Sequence, residues 1–428
     1  MTYLTHIAIS DYEQWSYTGK LMRNTLKQVN RNTTSALFND DFNTLGAEFS
    51  LYYPGKLPES EIFAAVPDVT FVRAGSGGSK HKNGTGWKNL VIKGDNLSAL
   101  KALLKQKEIQ SRIDLIYTDP PFSTNLTFRK GKLRSSTISS SQIDEVAYED
   151  TLNGPGYVEF IRQRLILLKQ LLSTQGSIYL HIDYKIGHYV KIVMDEIFGK
   201  KHFINDITRI KCNPKNFQRK GYGNVKDLIL FYSKTNRPIW HGAAESFSED
   251  DIKRLFPKID KAGRRYTTTP LHAPGETQNG QTGRKWKNLL PPKGRHWRYP
   301  PDELTRLDEQ GLIEWSSTGN PRKIIYADEK VTHGKKKQDI WEYKDPPNPA
   351  YPTEKNLEMI RSIIRASSNP DSCVLDCFAG SGATAIAAER EGRRWILIDS
   401  SEAAIRTIKE RLSAMNGTPA PYAILETQ

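Results

Sequence analysis

Apolar residues recur along most of the chain in short blocks that predict strands, and segments of helical spacing lie between them. The runs NLVIKGDN, IDLIYTDPPF, GSIYLHID and DLILFYSK, all within 88–235, are typical of buried strands. LSALKALLKQ and PGYVEFIRQRLILLKQLL place apolar residues every three or four positions, as an amphipathic helix does. The alternation returns near the C-terminus in SCVLDCFAGSG, ATAIAAEREG and RWILIDS. This order predicts an α/β fold with a parallel, doubly wound sheet.

Segments without this periodicity set the predicted domain boundaries. The run RAGSGGSKHKNGTG at 73–86 is rich in glycine and serine and predicts a flexible joint. Residues 123–150 are serine-rich and too long for an ordinary connection, which predicts a functional loop or disorder. A third segment, rich in Pro, Gly, Trp and basic residues, predicts a separate domain inserted into the sheet fold. The predicted domains are an N-terminal extension with its linker, a first half of the sheet domain, the inserted domain and a second half: 1–87, 88–235, 236–338 and 339–428.

The charge of the chain is unevenly distributed. The formal net charge is +14, and residues 201–345 hold 29 Lys and Arg against 18 Asp and Glu. A local basic excess of this kind suits a polyanion such as nucleic acid, although a solubilising surface is the alternative. No apolar run approaches the roughly 18 residues of a membrane span, so no membrane partner is expected. Three cysteines cannot form a disulfide framework, and we expect a reducing, cytoplasmic setting without a bound metal.

A glycine-rich turn follows one of the C-terminal strands. In VLDCFAGSGATA the residues Phe378, Gly380 and Gly382 stand between an apolar strand and a helix, where small residues let the backbone approach a ligand. The next strand ends in Asp399, whose carboxylate can accept hydrogen bonds from two ribose hydroxyls. This spacing also permits a nicotinamide cofactor, although Ala385 replaces the third glycine of that pattern. A tight turn with a helix-capping Asp is the purely structural alternative.

The sequence Asp119-Pro120-Pro121-Phe122 ends another strand. Two prolines fix their own φ angles and remove two N–H donors, so Asp119 and the Pro120 carbonyl can present acceptors side by side. With the ring of Phe122, this group matches an exocyclic amino group on a planar base. A second Asp-Pro-Pro begins at Asp345, but no strand of buried residues precedes it, and we interpret it as part of a linker.

Together these motifs resemble the amino-group DNA methyltransferases of the permuted β class, and the modification subunits of type III restriction systems in particular. In that class the DPPF motif precedes the FAGSG loop, as it does here. The resemblance implies a Rossmann-like sheet with a circularly permuted motif order and S-adenosylmethionine as cofactor. It makes 88–235 the catalytic half, 236–338 the target-recognition domain and 339–428 the cofactor-binding half.

The resemblance also assigns roles to single residues. Asp119, Pro120, Pro121 and Phe122 are the expected catalytic residues. The expected cofactor-binding residues lie at the ends of the predicted strands and in the motif YPTEK: Asp95, Asn96, Thr353, Lys355, Asp376, Phe378, Gly380, Gly382 and Asp399. Among them, Asp95 and Asn96 would lie at the adenine, Asp399 at the ribose, the loop residues at the methionine end, and Thr353 with Lys355 at its carboxylate.

The expected reaction is methylation of N6 of an adenine that has been flipped out of double-stranded DNA. A leading Asp favours adenine over N4 of cytosine, and N6 methylation of RNA is a further alternative. A catalytically inactive nucleic-acid-binding subunit is the alternative from another class. A homodimer and a restriction subunit are candidate partners. His181 is expected to be structural, and the run at 285–299 is interpreted either as a DNA-contacting surface or as packed tryptophans.

Overall fold

A computed structural model describes 50–64, 69–78, 88–121, 127–130, 145–149, 154–213, 220–277, 279–332, 334–347, 349, 351–352, 354–415, 417 and 419–428. The chain divides into two compact units. The sheet unit comprises Met1–Ile239 and Ile340–Gln428, and the inserted unit comprises Trp240–Asp339.

The helices and strands of the described residues run in the following order. The helices are α1 (Glu59–Ala64), α2 (Asn96–Leu104), α3 (Gly154–Leu171), α4 (Tyr184–Phe198), α5 (Glu249–Leu255), α6 (Pro301–Glu309), α7 (Ala327–Val331), α8 (Leu357–Ser367), α9 (Ala383–Arg390) and α10 (Glu402–Ser413). The strands are β1 (Phe71–Gly77), β2 (Asn89–Lys93), β3 (Ile113–Thr118), β4 (Thr127–Lys130), β5 (Glu145–Glu149), β6 (Leu172–Ile182), β7 (Phe203–Ile210), β8 (Lys226–Ser233), β9 (Ala244–Glu245), β10 (Lys258–Ile259), β11 (Arg265–Pro270), β12 (His272–Pro274), β13 (Arg295–Trp297), β14 (Ile313–Trp315), β15 (Pro321–Tyr326), β16 (Lys335–Lys336), β17 (Ile340–Glu342), β18 (Cys373–Asp376), β19 (Arg394–Asp399) and β20 (Tyr422–Thr427).

One sheet of ten strands forms the sheet unit, in the order β1-β20-β2-β19-β18-β3-β6-β8-β7-β17. The strands from β20 to β6 pair in parallel, and β8 is antiparallel to both of its neighbours. Helices α2, α3 and α4 bury one face, and α8, α9 and α10 bury the other. Strands that are covered on both faces must be apolar throughout, which explains continuous runs such as DLILFYS. The predicted α/β, doubly wound architecture is confirmed.

The N-terminal part of the described chain belongs to this sheet. Strand β1 pairs antiparallel with β20, with Phe71 opposite Thr427 and Gly77 opposite Tyr422. The prediction of a flexible joint over 73–86 is therefore wrong for 73–77, while 79–87 lie outside the described residues. Glycine and serine suit this edge because the ring of Tyr422 lies against Gly77, where a Cβ atom would come within 2.4 Å of it. Composition alone does not reveal such a close cross-strand contact.

The stretch 123–150 contains two short strands. Strands β4 and β5 pair antiparallel within it, and the remaining residues between 122 and 153 lie outside the described part of the chain. The absence of a hydrophobic period hid this hairpin from the sequence analysis. Across the described residues, no helix combines the length and apolar character that crossing a membrane requires.

The inserted unit has its own small core. A four-stranded antiparallel sheet, β10-β11-β15-β14, stands beside two-stranded pairs. Trp286 and Trp297 are buried with Leu271, Leu304 and Leu307. The indole of Trp286 donates to the Thr305 hydroxyl at 3.0 Å, and that of Trp297 donates to a backbone carbonyl at 3.0 Å. Of the two interpretations of 285–299, the one as packed tryptophans applies to Trp286 and Trp297.

Candidate active site

Four neighbouring parallel strands bring the predicted site residues to one edge of the sheet. Strands β2, β19, β18 and β3 are consecutive in the sheet, so their carboxyl ends lie side by side. Asp95 follows β2, Asp399 ends β19, Asp376 ends β18 and Asp119 follows β3. Ligands of open α/β sheets bind at this edge, outside the carboxyl ends of the strands.

The two carboxylate oxygens of Asp119 have different surroundings. Its side chain is 15% exposed, and Oδ2 lies 2.7 Å from the ammonium of Lys355. The other oxygen, Oδ1, is buried and has no hydrogen-bond partner among the described residues. A buried acceptor without a donor is costly to maintain, and in a native site it usually marks the position of a ligand group.

Next to Asp119 lies a buried network of polar side chains that ends at two basic residues. Nδ1 of His181 lies 3.0 Å from the hydroxyl of Tyr117 and 4.0 Å from Oδ1 of Asp119. Nε2 lies 3.3 Å from Oδ2 of Asp227, which also contacts Arg209 and Lys211 at 3.4 and 2.6 Å through its two oxygens. Burial lowers the pKa of His181, so the imidazole is neutral near pH 7.

The glycine-rich loop is held by the two carboxylates that flank it. Asp376 accepts from the Phe378 amide at 3.0 Å and from the Thr384 hydroxyl at 2.6 Å. Asp399 accepts from the Gly380 amide at 2.8 Å, which ties the loop to the neighbouring strand. Burial raises the pKa of Asp376 to about 7 and also raises the pKa of Asp399. The loop conformation thus depends on acids that lie inside it.

Two glycines in the loop are required by geometry. Gly382 has a φ of +73° and is the N-cap of α9, and a Cβ atom there would lie 2.7 Å from Cγ1 of Ile408. Gly380 has a φ of +47°, and a Cβ atom there would lie 3.6 Å from the ring of buried Tyr351. Gly382 has no side chain with which to cap α9, so the first backbone N–H groups of this helix are not consumed by a cap from that residue.

Asp95 and Asn96 are positioned by an arginine that the sequence analysis did not identify. Asp95 caps α2 through the Ser98 amide at 2.8 Å. The buried guanidinium of Arg164 donates to Oδ1 of Asn96 at 2.6 Å and lies 3.3 Å from Oδ1 of Asp95. Burial lowers the pKa of Arg164 to about 10, so it still carries its charge near neutral pH. Asn96 in turn donates to the carbonyl of Cys377, at the start of the glycine-rich loop, at 2.9 Å.

Most of the predicted residues therefore meet at one edge of the sheet, with differences in their contacts. Lys355, predicted near the carboxylate of the cofactor, lies against Asp119. Pro120 is buried, and the carbonyl of Pro121 accepts from the hydroxyl of Tyr157 at 2.5 Å. Phe122 and Thr353 lie outside the described residues, so their roles stay predictions.

Asp345 is more than a linker residue. Its Oδ1 lies 2.5 Å from Nη2 of fully buried Arg209, and its amide donates to the carbonyl of Lys211 at 2.9 Å. Its side chain is nevertheless 48% exposed, unlike that of Asp119. The two Asp-Pro-Pro sequences thus have different surroundings: Asp119 follows β3, which has a parallel neighbour on each side, whereas Asp345 follows the edge strand β17, which pairs in parallel with β7.

The sequence analysis missed Arg164, Tyr117 and Asp227, and it treated His181 as structural. Polar residues inside otherwise apolar blocks were a usable signal, since DLILFYSK opens on Asp227 and IDLIYT contains Tyr117. A charged residue within a buried strand or helix is rarely tolerated without a partner. The pairing of these residues across strands could not be obtained from spacing alone.

Comparison with known proteins assigns the chain to a family. A family model described as DNA methylase matches residues 113–410. The type II methyltransferase M.EcaI of Enterobacter cloacae is 39% identical over 375 residues, which make up 86% of this chain and 78% of M.EcaI. The StyLTI Mod subunit of a type III restriction-modification enzyme of Salmonella typhimurium is 25% identical over 398 residues, 84% of this chain and 57% of that subunit. The crystal structure of the M1.HpyAVI–SAM complex is 17% identical to this chain, and the match covers 76% of this chain and 98% of that one with a TM-score of 0.39.

The chain belongs to the DNA methylase family that comprises N6-adenine and N4-cytosine enzymes. It is a DNA methyltransferase of the kind found in restriction-modification systems, which confirms the resemblance expected from the motifs. S-adenosylmethionine is the cofactor of this family, as expected. The residues present fit it: the open N-terminus of α9 and the Gly380 backbone accommodate an approaching ligand, and Asp399 keeps acceptor capacity beside them.

Proposed function

We propose that this chain methylates N6 of adenine at a specific site in double-stranded DNA, as the modification enzyme of a restriction-modification system. The observation that carries the proposal is Oδ1 of Asp119, a buried acceptor at the carboxyl end of β3 for which the described part of the chain supplies no donor. An exocyclic amino group supplies the donor that this oxygen lacks. The relatives named above are methylation enzymes of such systems, which supports this setting.

Asp119 and its neighbours would prepare the amino group for attack. Oδ1 accepts one N–H of the target amino group, and the carbonyl of Pro120 is placed by the rigid Pro-Pro corner to accept the other. Lys355 holds Oδ2 of Asp119 and thereby sets the direction of Oδ1. Holding both hydrogens localises the lone pair on the nitrogen, and the proton that leaves it can pass to Oδ1. Phe122 is proposed to stack on the base.

The cofactor would lie along the neighbouring strand ends. When bound, S-adenosylmethionine supplies an electrophilic methyl group. Asp399 accepts the ribose hydroxyls, and the backbone of Phe378, Gly380 and Gly382 surrounds the methionine end. Asp95 and Asn96, set by Arg164, bind the adenine moiety. Asp376 acts through its hydrogen bonds to the loop, and Thr353 is proposed to lie at the carboxylate.

The leading Asp of the motif favours adenine over cytosine. A carboxylate accepts hydrogen bonds only, so Asp119 suits the two-donor amino group of a base that has been extruded from the duplex. Both bases carry such an amino group, and the choice between them is therefore proposed from the motif. Extrusion costs a few kcal/mol, roughly what unstacking and unpairing one base requires.

Basic residues available for DNA lie in both units. Residues 201–239 contain nine Lys and Arg against two Asp and Glu, whereas 240–339 contain 19 against 14. The basic excess attributed to the inserted segment is thus stronger in the sheet unit that precedes it. We propose that 236–338 is the target-recognition domain and that 201–239 contributes phosphate contacts. A homodimer, a restriction subunit and a cytoplasmic setting stay predictions.

Long-read sequencing of DNA from a methylation-free host that expresses the chain tests the proposal. We expect N6-methyladenine in one defined motif from the wild type and none from Asp119→Asn, which keeps the shape of the side chain but replaces one acceptor oxygen with a donor. Asp371→Asn is the matched control, since Asp371 is exposed and precedes the opposite end of β18. N4-methylcytosine would overturn the choice of base. Unmodified DNA from folded wild-type protein, or full modification by Asp119→Asn, would overturn the proposed function.

A further inference from the structure

The buried network of polar side chains next to Asp119 contains more groups than the proposed methyl transfer requires. Asp227 is 1% exposed and receives contacts from His181, Arg209 and Lys211. Burial raises the pKa of Asp227, but the hydrogen bond from His181 and the charges of Lys211 and Lys355 outweigh this effect, and the pKa lies well below its usual range. Asp227 is therefore a carboxylate, and a carboxylate accepts hydrogen bonds without donating any.

This carboxylate decides which nitrogen of His181 carries the proton. With the proton on Nε2, the imidazole donates to Asp227 at 3.3 Å, and Nδ1 accepts from the hydroxyl of Tyr117 at 3.0 Å. With the proton on Nδ1, the lone pair of Nε2 would face the carboxylate of Asp227 at the same 3.3 Å. The first arrangement satisfies both contacts, while the second places two acceptors against each other. Burial and nearby Asp119 raise the pKa of Tyr117 well above its usual value, so its phenol keeps the proton that it donates.

The tautomer of His181 has a direct consequence for Asp119. Nδ1 lies 4.0 Å from Oδ1 of Asp119, whereas Lys355 contacts the other oxygen, Oδ2. A proton on Nδ1 would make His181 a donor within a small shift of Oδ1. A lone pair on Nδ1 offers Oδ1 nothing to accept.

We propose that Asp227 holds His181 in the tautomer protonated at Nε2, so that His181 does not donate to Oδ1 of Asp119 and this oxygen stays available to the amino group of the target base. His181 and Asp227 are positioning residues, since neither touches the base. The positioning role of His181 and Asp227 rests on the proposed methyl transfer. The tautomer of His181 does not depend on that proposal. A buried Oδ1 that receives no hydrogen bond from His181 lowers the stability of the folded protein until the base binds, and the surrounding structure offsets this loss.

The tautomer can be measured without any methylation assay. The chain contains nine histidines, so protein labelled with ¹⁵N only at histidine gives few signals, and the spectrum of His181→Gln identifies the missing one. Long-range ¹H–¹⁵N correlations then report which nitrogen is protonated. We expect a neutral ring protonated at Nε2 in the wild type. A ring protonated at Nδ1, or at both nitrogens, at neutral pH would overturn the proposal.

Asp227→Asn tests the consequence for catalysis. An amide placed toward Nε2 can donate to it, which moves the proton to Nδ1 and toward Asp119. We expect kcat to fall about 10- to 100-fold, the effect of one competing hydrogen bond to a charged group. The KM for S-adenosylmethionine should stay within about twofold, because a hydrogen bond lost only at the base does not alter uniform binding of the cofactor.

Asp206→Asn is the matched control, since Asp206 is an exposed acid on the adjacent strand β7. It should change neither kcat nor the His181 signal. If Asp227→Asn folds and moves the proton to Nδ1 while kcat is unchanged, the proposed role in catalysis is overturned. Should that variant fail to fold, the wild-type spectrum still decides on the tautomer. Absence of methylated adenine with wild-type protein is a separate result, which removes the proposed function and leaves the tautomer measurement valid.

Discussion

The ammonium of Lys355 lies 2.7 Å from Oδ2 of Asp119, although the whole inserted unit separates the two residues in the sequence. Both side chains are largely buried, with 8% and 15% of their surfaces exposed. Such a pair fixes the rotamer of Asp119 and compensates its charge. It links the segment before α8 to the carboxyl end of β3, where the proposed chemistry takes place.

Lys355→Met should therefore affect both stability and rate. Removing one partner of a buried ion pair leaves an uncompensated charge and typically costs about 3–5 kcal/mol. We expect a loss of unfolding free energy in this range and a methylation rate reduced at least about tenfold, the effect of about 1.4 kcal/mol. Denaturant unfolding and single-turnover methylation measure the two effects. Lys344→Met is the control, because Lys344 pairs with Glu342 in a largely exposed bridge and should change stability by less than about 1 kcal/mol. Wild-type stability in Lys355→Met would show that the pair contributes nothing.

Gly382→Ala should destabilise the sheet unit through a specific clash. The added Cβ atom would lie 2.7 Å from Cγ1 of Ile408, at a φ of +73°. Strain of the left-handed backbone costs about 1–2 kcal/mol, and overpacking adds about 1–3 kcal/mol. Gly392→Ala is the matched control, since Gly392 has a φ of +67° with nothing within 4 Å of its Cβ position. Equal losses in the unfolding free energies of the two variants would contradict the packing argument.

Asp376 should make stability depend on pH. Burial raises its pKa from 3.8 to about 7, so the folded protein holds this proton more tightly than the unfolded chain. The contribution of the protonated Asp376 to stability is fully present below about pH 4 and is lost as the pH rises to about 7, an effect on the order of 4 kcal/mol. Asp376→Asn cannot titrate at this position. The difference in unfolding free energy between variant and wild type should therefore change across this window. A difference independent of pH would mean that Asp376 is ionised throughout.

Arg164→Lys should weaken binding of S-adenosylmethionine. Lysine cannot reproduce the planar guanidinium that reaches Asn96 at 2.6 Å and Asp95 at 3.3 Å together. Loss of one charge-assisted hydrogen bond is expected to raise the Kd about tenfold, as measured by calorimetry. Arg390→Lys, an exposed position at the end of α9, is the control and should bind as the wild type does. Unchanged affinity in Arg164→Lys would show that Arg164 does not set the positions of Asp95 and Asn96.

The amino-acid sequence by itself determined the class of fold and the location of the main motifs. Periodicity distinguished strands from helices because side chains repeat every two residues in one and every 3.6 in the other. The loop containing Gly380 and Gly382 and the corner at Asp119 were recognisable because they depend on local backbone geometry. Residues 73–77 were misjudged because their strand depends on a partner, β20, at the other end of the chain.

Only the tertiary structure decided how these motifs act on one another. The contacts of Lys355 with Asp119, of His181 with Asp227 and of Arg164 with Asn96 all join residues far apart in sequence. Their pairing depends on which strands are neighbours in the sheet, because the order β19-β18-β3-β6-β8 differs from the order along the chain. Burial is also a property of the packed fold. It raises the pKa of Asp376, lowers that of His181 and leaves Oδ1 of Asp119 without a donor from the residues that the structure describes. The chemistry of single residues follows from sequence, whereas their partners and their protonation follow from the enclosure that the fold creates around them.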